Sequence, residues 1–108
     1  MENKETEQKI SQLQILEQNL QNFLMQKQQF QSQLIEIDSA INELVDAKKS
    51  YKIIGNIMVD ANKEVLSEDL KKKKKIVELR IKSLEKEEES IKEKAKRLQN
   101  EVISKLKK

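Results

Sequence analysis

The feature that most constrains this chain is a spacing. From Lys9 to about Lys49, the residues Leu13, Leu16, Leu20, Phe23, Lys27, Phe30, Leu34, Ile37, Ile41 and Leu44 follow one another in alternating steps of three and four without a slip. Leu13, Leu20, Lys27, Leu34 and Ile41 take the a positions of a heptad, and Leu16, Phe23, Phe30, Ile37 and Leu44 the d positions; nine of the ten are apolar. Such a period, sustained over several heptads, predicts a helix winding left-handedly on a partner. A second stretch runs from about Leu66 to Lys107, with Leu70, Val77, Leu84, Ile91 and Leu98 in one column and Lys74, Ile81, Glu88, Ala95 and Val102 in the other. Seven of these ten are apolar, eight counting Ala95, so the second stripe is thinner and two charges interrupt it. The chain has one Gly and no Pro, so Gly55 alone can break so long a helix.

Composition agrees with a seam rather than a thick core. Charged residues make up 38% of the 108 and aromatic residues only 3%, against about 25% charge in ordinary soluble domains. Phe23, Phe30 and Tyr51 are the only large aromatic fillers. Disorder is the competing class, but the apolar residues are spaced rather than merely diluted.

Other absences narrow function. Without Cys or His there is no thiolate or imidazole nucleophile, no disulfide framework and none of the usual transition-metal ligands. No acidic cluster has the calcium-loop spacing, and a phosphate-cradling loop needs more glycine than this chain contains. No catalysis and no cofactor are expected. No apolar run approaches the roughly 18 residues of a membrane span, and no signal-peptide h-region is evident, so a soluble, cytoplasmic protein is expected.

Between the two helical stretches the period changes. Tyr51-Lys52-Ile53-Ile54 and Ile57-Met58-Val59-Asp60 are β-favouring tetrads flanking Gly55-Asn56. That arrangement predicts a hairpin, and Gly55 in the first central position suits the positive φ of a type II′ turn. A lone two-stranded hairpin is marginal in water, and this one carries more apolar residues than one face can bury. It therefore needs other strands, most simply from other chains. The expected organisation is an N-terminal coiled-coil helix over residues 1–49, a hairpin segment over 50–63 and a C-terminal coiled-coil helix over 64–108. Two arms of nearly equal length, each about 60 Å at 1.5 Å per residue, should fold back antiparallel across that hairpin. Charge favours the pairing modestly: residues 1–50 carry a net −3 and residues 51–108 a net +6.

The central Tyr51-Lys52-Ile53-Ile54-Gly55-Asn56-Ile57-Met58-Val59 resembles the Tyr-Lys-x-Val/Ile-Gly and following apolar strand of archaeal-type prefoldin beta subunits, a family of hexameric holding chaperones. The Gln-rich first helix, with Gln26-Lys27-Gln28 and Leu34, and the run Leu79 to Glu88 in the second are similar too. The chain departs from the family in lacking an N-terminal Pro and in placing Ala47-Lys48-Lys49-Ser50 where an acidic stretch is frequent. The resemblance implies that hairpins of alpha and beta subunits join into intersubunit β-barrels, in a hetero-hexamer of two alpha and four beta chains. It implies that coiled-coil tips grip unfolded polypeptide without ATP and pass it to a group II chaperonin. Assembly then falls to Tyr51, Ile53, Ile54, Gly55, Ile57, Met58 and Val59. Capture of unfolded polypeptide falls to Ile10, Ile15, Ile103 and Leu106, which lie off the seam, and to Leu13, Leu16 and Val102, expected to be half-open where the coil frays.

Two other classes compete with this reading. A plain coiled-coil spacer has no need of a Gly-Asn turn between β-rich tetrads. A basic nucleic-acid-binding helix is motivated by Lys71-Lys72-Lys73-Lys74-Lys75, but the nearby Glu64, Glu68, Asp69 and Glu78 favour a solvated face, and no aromatic is spare for base stacking. Nucleic acid and membrane are not expected partners. Lys27 and Glu88, at seam positions, are expected to set register or snorkel.

Overall fold

Forty-five consecutive residues without Gly or Pro form helix α1, Glu2–Asp46, and forty-four form helix α2, Lys63–Leu106. Between them lie strands β1, Ser50–Ile54, and β2, Ile57–Ala61, paired antiparallel. The structure is a computed structural model that describes residues 2–107, with side chains from Lys4 onward.

The chain forms two compact units. One holds the start of α1 up to Gln28 and α2 from Lys82 onward; the other is Gln29–Ile81 and includes the hairpin. In the first, Leu13, Leu16, Leu20, Phe23 and Lys27 of α1 are half-buried along one stripe, as are Ile91, Ala95 and Leu98 of α2, with Leu84, Glu88 and Val102 buried. In the hairpin unit the stripe comprises Phe30, Leu34, Ile37, Ile41 and Leu44 on α1 and Leu70, Lys74, Val77 and Ile81 on α2. These are the twenty positions marked by the spacing. Among the described apolar residues only Ile37, Val77, Leu84 and Val102 are buried, and none of them completely, because a contact between two helices covers a single stripe on each.

The hairpin-side helix ends are set by local hydrogen bonds: α1 stops about one turn before the expected bound at 49, and α2 starts one residue before the expected 64. The heptad stripe of the second arm is readable from about Leu66, but helix α2 begins at Lys63 because Asn62 caps it. The Asn62 side-chain oxygen accepts hydrogen bonds from the backbone N–H of Glu64 (2.9 Å) and Val65 (3.3 Å), and its carbonyl accepts from Leu66 N–H (2.9 Å). Helix α1 ends at Asp46, where Ala47 N–H turns back to the Leu44 carbonyl at 3.4 Å. Its last turn contains no basic residue of its own. Lys63 supplies one from across the hairpin, donating to the Val45 carbonyl at 2.7 Å, where a cation meets the negative end of the helix dipole.

Each charge in the seam meets an opposite charge. Lys27 Nζ lies 3.3 Å from Glu88 Oε2, and Lys92, one turn along α2, lies 3.1 Å from Glu88 Oε1. Lys74 contacts Asp38 at 2.8 Å. Lys9 pairs with Glu101 at 2.9 Å, and Lys105 with Glu5. Within the first unit, ascending positions on α1 thus meet descending positions on α2, which is the antiparallel arrangement. In the hairpin unit the Arg80 guanidinium sits over the Phe30 ring, 5.7 Å from its centroid.

The Lys92 hydrogen bond, with Lys27 in support, outweighs desolvation and holds the Glu88 carboxyl below its ordinary 4.5. A carboxyl lowered on folding stabilises the fold above that value and loses the contribution as pH falls through the folded one. Removing one member of the pair strands the other in the seam. Glu88→Leu alone should therefore cost about 1–3 kcal/mol, somewhat less than a fully buried pair because Lys27 keeps some water. The double variant Lys27→Leu/Glu88→Leu should melt at or above the parent temperature by circular dichroism, and its stability should fall less steeply below pH 4.5.

Candidate functional site

The hairpin is the first candidate, and its register decides what it presents. Tyr51 pairs with Asp60, Lys52 with Val59, Ile53 with Met58 and Ile54 with Ile57. Directly opposed residues share a face, so Tyr51, Ile53 and Met58 lie on one side and Ile54, Ile57 and Val59 on the other. Both faces are therefore apolar. All six side chains are exposed, from 37% at Val59 to 68% at Ile53. Tyr51, Ile53 and Met58 line a groove of about 560 Å³ with Leu44, Leu66 and Leu70, where the helix seam ends beneath the sheet. Ser50 fastens the base of the hairpin by donating from its hydroxyl to the Ala61 carbonyl at 2.7 Å. The sheet has two strands, so each strand keeps one unpaired edge.

The turn is set by Gly55. Its φ is +61°, and no other described residue has a positive φ. A positive first and negative second central residue is the pattern of a type II′ turn, whose twist matches that of the flanking strands.

The second candidate lies where the start of α1 meets the end of α2. Ile10, Ile15, Ile103 and Leu106 are exposed there, Ile15 at 56% and Leu106 at 71%. Leu13 and Leu16 are half-buried, whereas Val102 is 7% exposed and packs in the seam. Ile15 and Leu16 join Leu98 across the pair in an open groove of about 380 Å³, rimmed by Gln12, Lys94, Arg97 and Glu101. Sequence reasoning gave Leu98 to the seam and passed over Lys94 and Arg97. Their signal is spacing: Lys94, Arg97 and Glu101 follow one another at steps of three and four on one helix face, flanking Leu98.

The lysine run forms no uniform face. Lys71, Lys72, Lys73 and Lys75 are exposed, while Lys74 turns into the seam, where the hydrogen bond to Asp38 raises its ammonium above the ordinary value. Among the described residues, no group of three or more acidic side chains could hold a metal ion, and no helix is long and apolar enough to cross a membrane. The chemistry on offer is burial of apolar surface and strand pairing.

A family model described as prefoldin subunit matches residues 7–108. The chain is 34% identical over 90 residues to the prefoldin subunit beta of Pyrobaculum calidifontis, across 81% of this chain and 72% of that one. It is 38% identical over 87 residues to that of Archaeoglobus fulgidus, across 78% of this chain and 75% of that one. Among solved structures, the crystal structure of the prefoldin beta subunit from Thermococcus strain KS-1 matches with a TM-score of 0.87 and 30% identity, across 93% of this chain and 90% of that one.

A side chain at position 55 would meet nothing within 4 Å, so only the positive φ penalises it. Gly55→Ala should therefore weaken the hairpin by about 1 kcal/mol. Semisynthetic D-alanine at the same position should not. Cross-strand nuclear Overhauser contacts between Ile54 and Ile57 report the difference.

Proposed function

The chain belongs to the prefoldin subunits, a family of chaperones, and from that premise we propose that it is a beta-class subunit of an ATP-independent holding chaperone. In this reading it assembles with alpha-class subunits and further copies of itself in a hetero-hexamer of two alpha and four beta chains, acting in the cytoplasm. The hairpin residues Tyr51, Ile53, Ile54, Gly55, Ile57, Met58 and Val59 build the shared β-barrel. The observation that carries the proposal is the two-faced hairpin with both edges open: strands from other chains can pair with those edges, and closing the joined sheet into a barrel buries an apolar face.

Capture of unfolded polypeptide is assigned to the surface made by Ile10, Ile15, Ile103 and Leu106, with Leu13 and Leu16 contributing their half-open flanks. Val102 keeps the helices together beneath that surface and reaches cargo only where they part. A single such surface binds weakly. Several carried on one platform raise the effective concentration and hold a client that none would hold alone. Binding the unfolded state withdraws it from aggregation by mass action, with no need of nucleotide, and the client then passes to a group II chaperonin.

The test separates the two tasks. Mixed with an alpha-class prefoldin subunit, the parent chain should form a large complex by sizing chromatography and suppress aggregation of a denatured client without nucleotide. Ile57→Asp/Val59→Asp should leave the chain monomeric. Ile10→Ser/Ile15→Ser/Ile103→Ser/Leu106→Ser should still assemble but lose most of the protection. Full protection by that variant contradicts the assignment of the capture surface, and an unchanged complex with the strand variant contradicts the assembly role.

A further inference from the structure

The capture reading leaves unanswered which polypeptide segments the surface would prefer, and the groove between Ile15, Leu16 and Leu98 answers it in charge. Its floor is apolar, and three charged side chains stand on its rim. Glu101 is already engaged by Lys9 at 2.9 Å. Lys94 and Arg97 are exposed and make no ion pair with any described residue. Glu93, the nearest acid in sequence, does not line the groove. The groove therefore couples a greasy floor to two uncompensated cations, one of them a guanidinium whose planar fork suits a carboxylate.

Resting on the capture function proposed above, we infer that this groove selects segments in which an aliphatic or aromatic side chain is flanked by Asp or Glu. The apolar side chain seats on Ile15, Leu16 and Leu98 and supplies the affinity. The neighbouring carboxylates meet Lys94 and Arg97 and supply the preference, since charge at an interface rim sets specificity and association rate more than binding strength. Segments whose anchors are flanked by Lys or Arg face like charge at the same rim and are disfavoured.

Three short fluorescent peptides test this, sharing the same apolar anchors but flanked by acidic, amide or basic residues. Each is titrated by anisotropy against the complex assembled with an alpha-class prefoldin subunit. At low salt the acidic peptide should bind about fivefold tighter than the amide peptide, as two exposed ion pairs allow, and the basic peptide should bind weakest. Raising the salt should compress that order, because rim charges are screened. Lys94→Gln/Arg97→Gln should collapse the gap between acidic and basic peptides; both side chains are exposed and unpaired, so the fold does not depend on them. Equal affinity for all three peptides, or an order that survives the double variant, overturns the charge selection while leaving client capture standing. Absence of binding by any peptide, together with undiminished aggregation suppression by Ile15→Ser, overturns the capture surface itself.

Discussion

Two helices that touch along one seam can cover one stripe on each and nothing more. That limit governs this protein. The alternating three–four spacing spends Leu13 through Leu44 and Leu70 through Val102 on the stripe, and the large apolar side chains off that spacing, such as Ile15, Ile53 and Leu106, are left exposed. Where the leftovers are scattered, as at Met25 or Leu79, they are an ordinary feature of a protein surface. Where they gather, on the hairpin and beside the meeting of the helix ends, they form surfaces that this chain cannot bury by itself. The two tasks proposed for the protein, assembly and capture, are drawn from those two remainders.

The polar residues inside the seam give the pairing its register. Leucines and isoleucines would tolerate a slip of one heptad, since each apolar position would find another apolar position. A slip would strand Lys27, Glu88 and Lys74 opposite apolar or like-charged neighbours. In the aligned arrangement Lys27 meets Glu88, and Lys74 meets Asp38. This is the use of buried charge that two-stranded coils best support: some stability given up for one alignment. The alignment matters beyond the seam, because it sets Lys63 beside the last turn of α1 and places Ile15 and Leu98 on the same groove.

Much of this was legible in the sequence, for a physical reason. A heptad period is a direct record of which side faces a partner, so all twenty seam positions were readable, and the Gly-Asn pair between β-rich tetrads specified the hairpin and its turn. Element ends were less legible. The β pattern runs into the start of the next helix near Asp60 to Leu66, and the boundary is decided by the Asn62 cap and by the Lys63 contact to Val45, neither of which has a period. The Lys27–Glu88 partnership was hidden because cross-helix register depends on how many residues the hairpin consumes. Val102 was expected half-open, yet lies buried. The groove rim at Lys94 and Arg97 has no distinctive sequence signal beyond its spacing, because charge beside a seam usually means only a solvated face.

The central claim is that the hairpin is incomplete until other chains supply its neighbours. Amide hydrogen exchange on the intact chain, alone and then mixed with an alpha-class prefoldin subunit, measures this directly. The account predicts rapid exchange over Ser50–Ile54 and Ile57–Ala61 in the isolated chain and strong protection of those strands in the mixture, with seam amides near Ile37 and Leu84 protected in both. Strands already protected in the isolated chain, or unprotected after mixing, would contradict it.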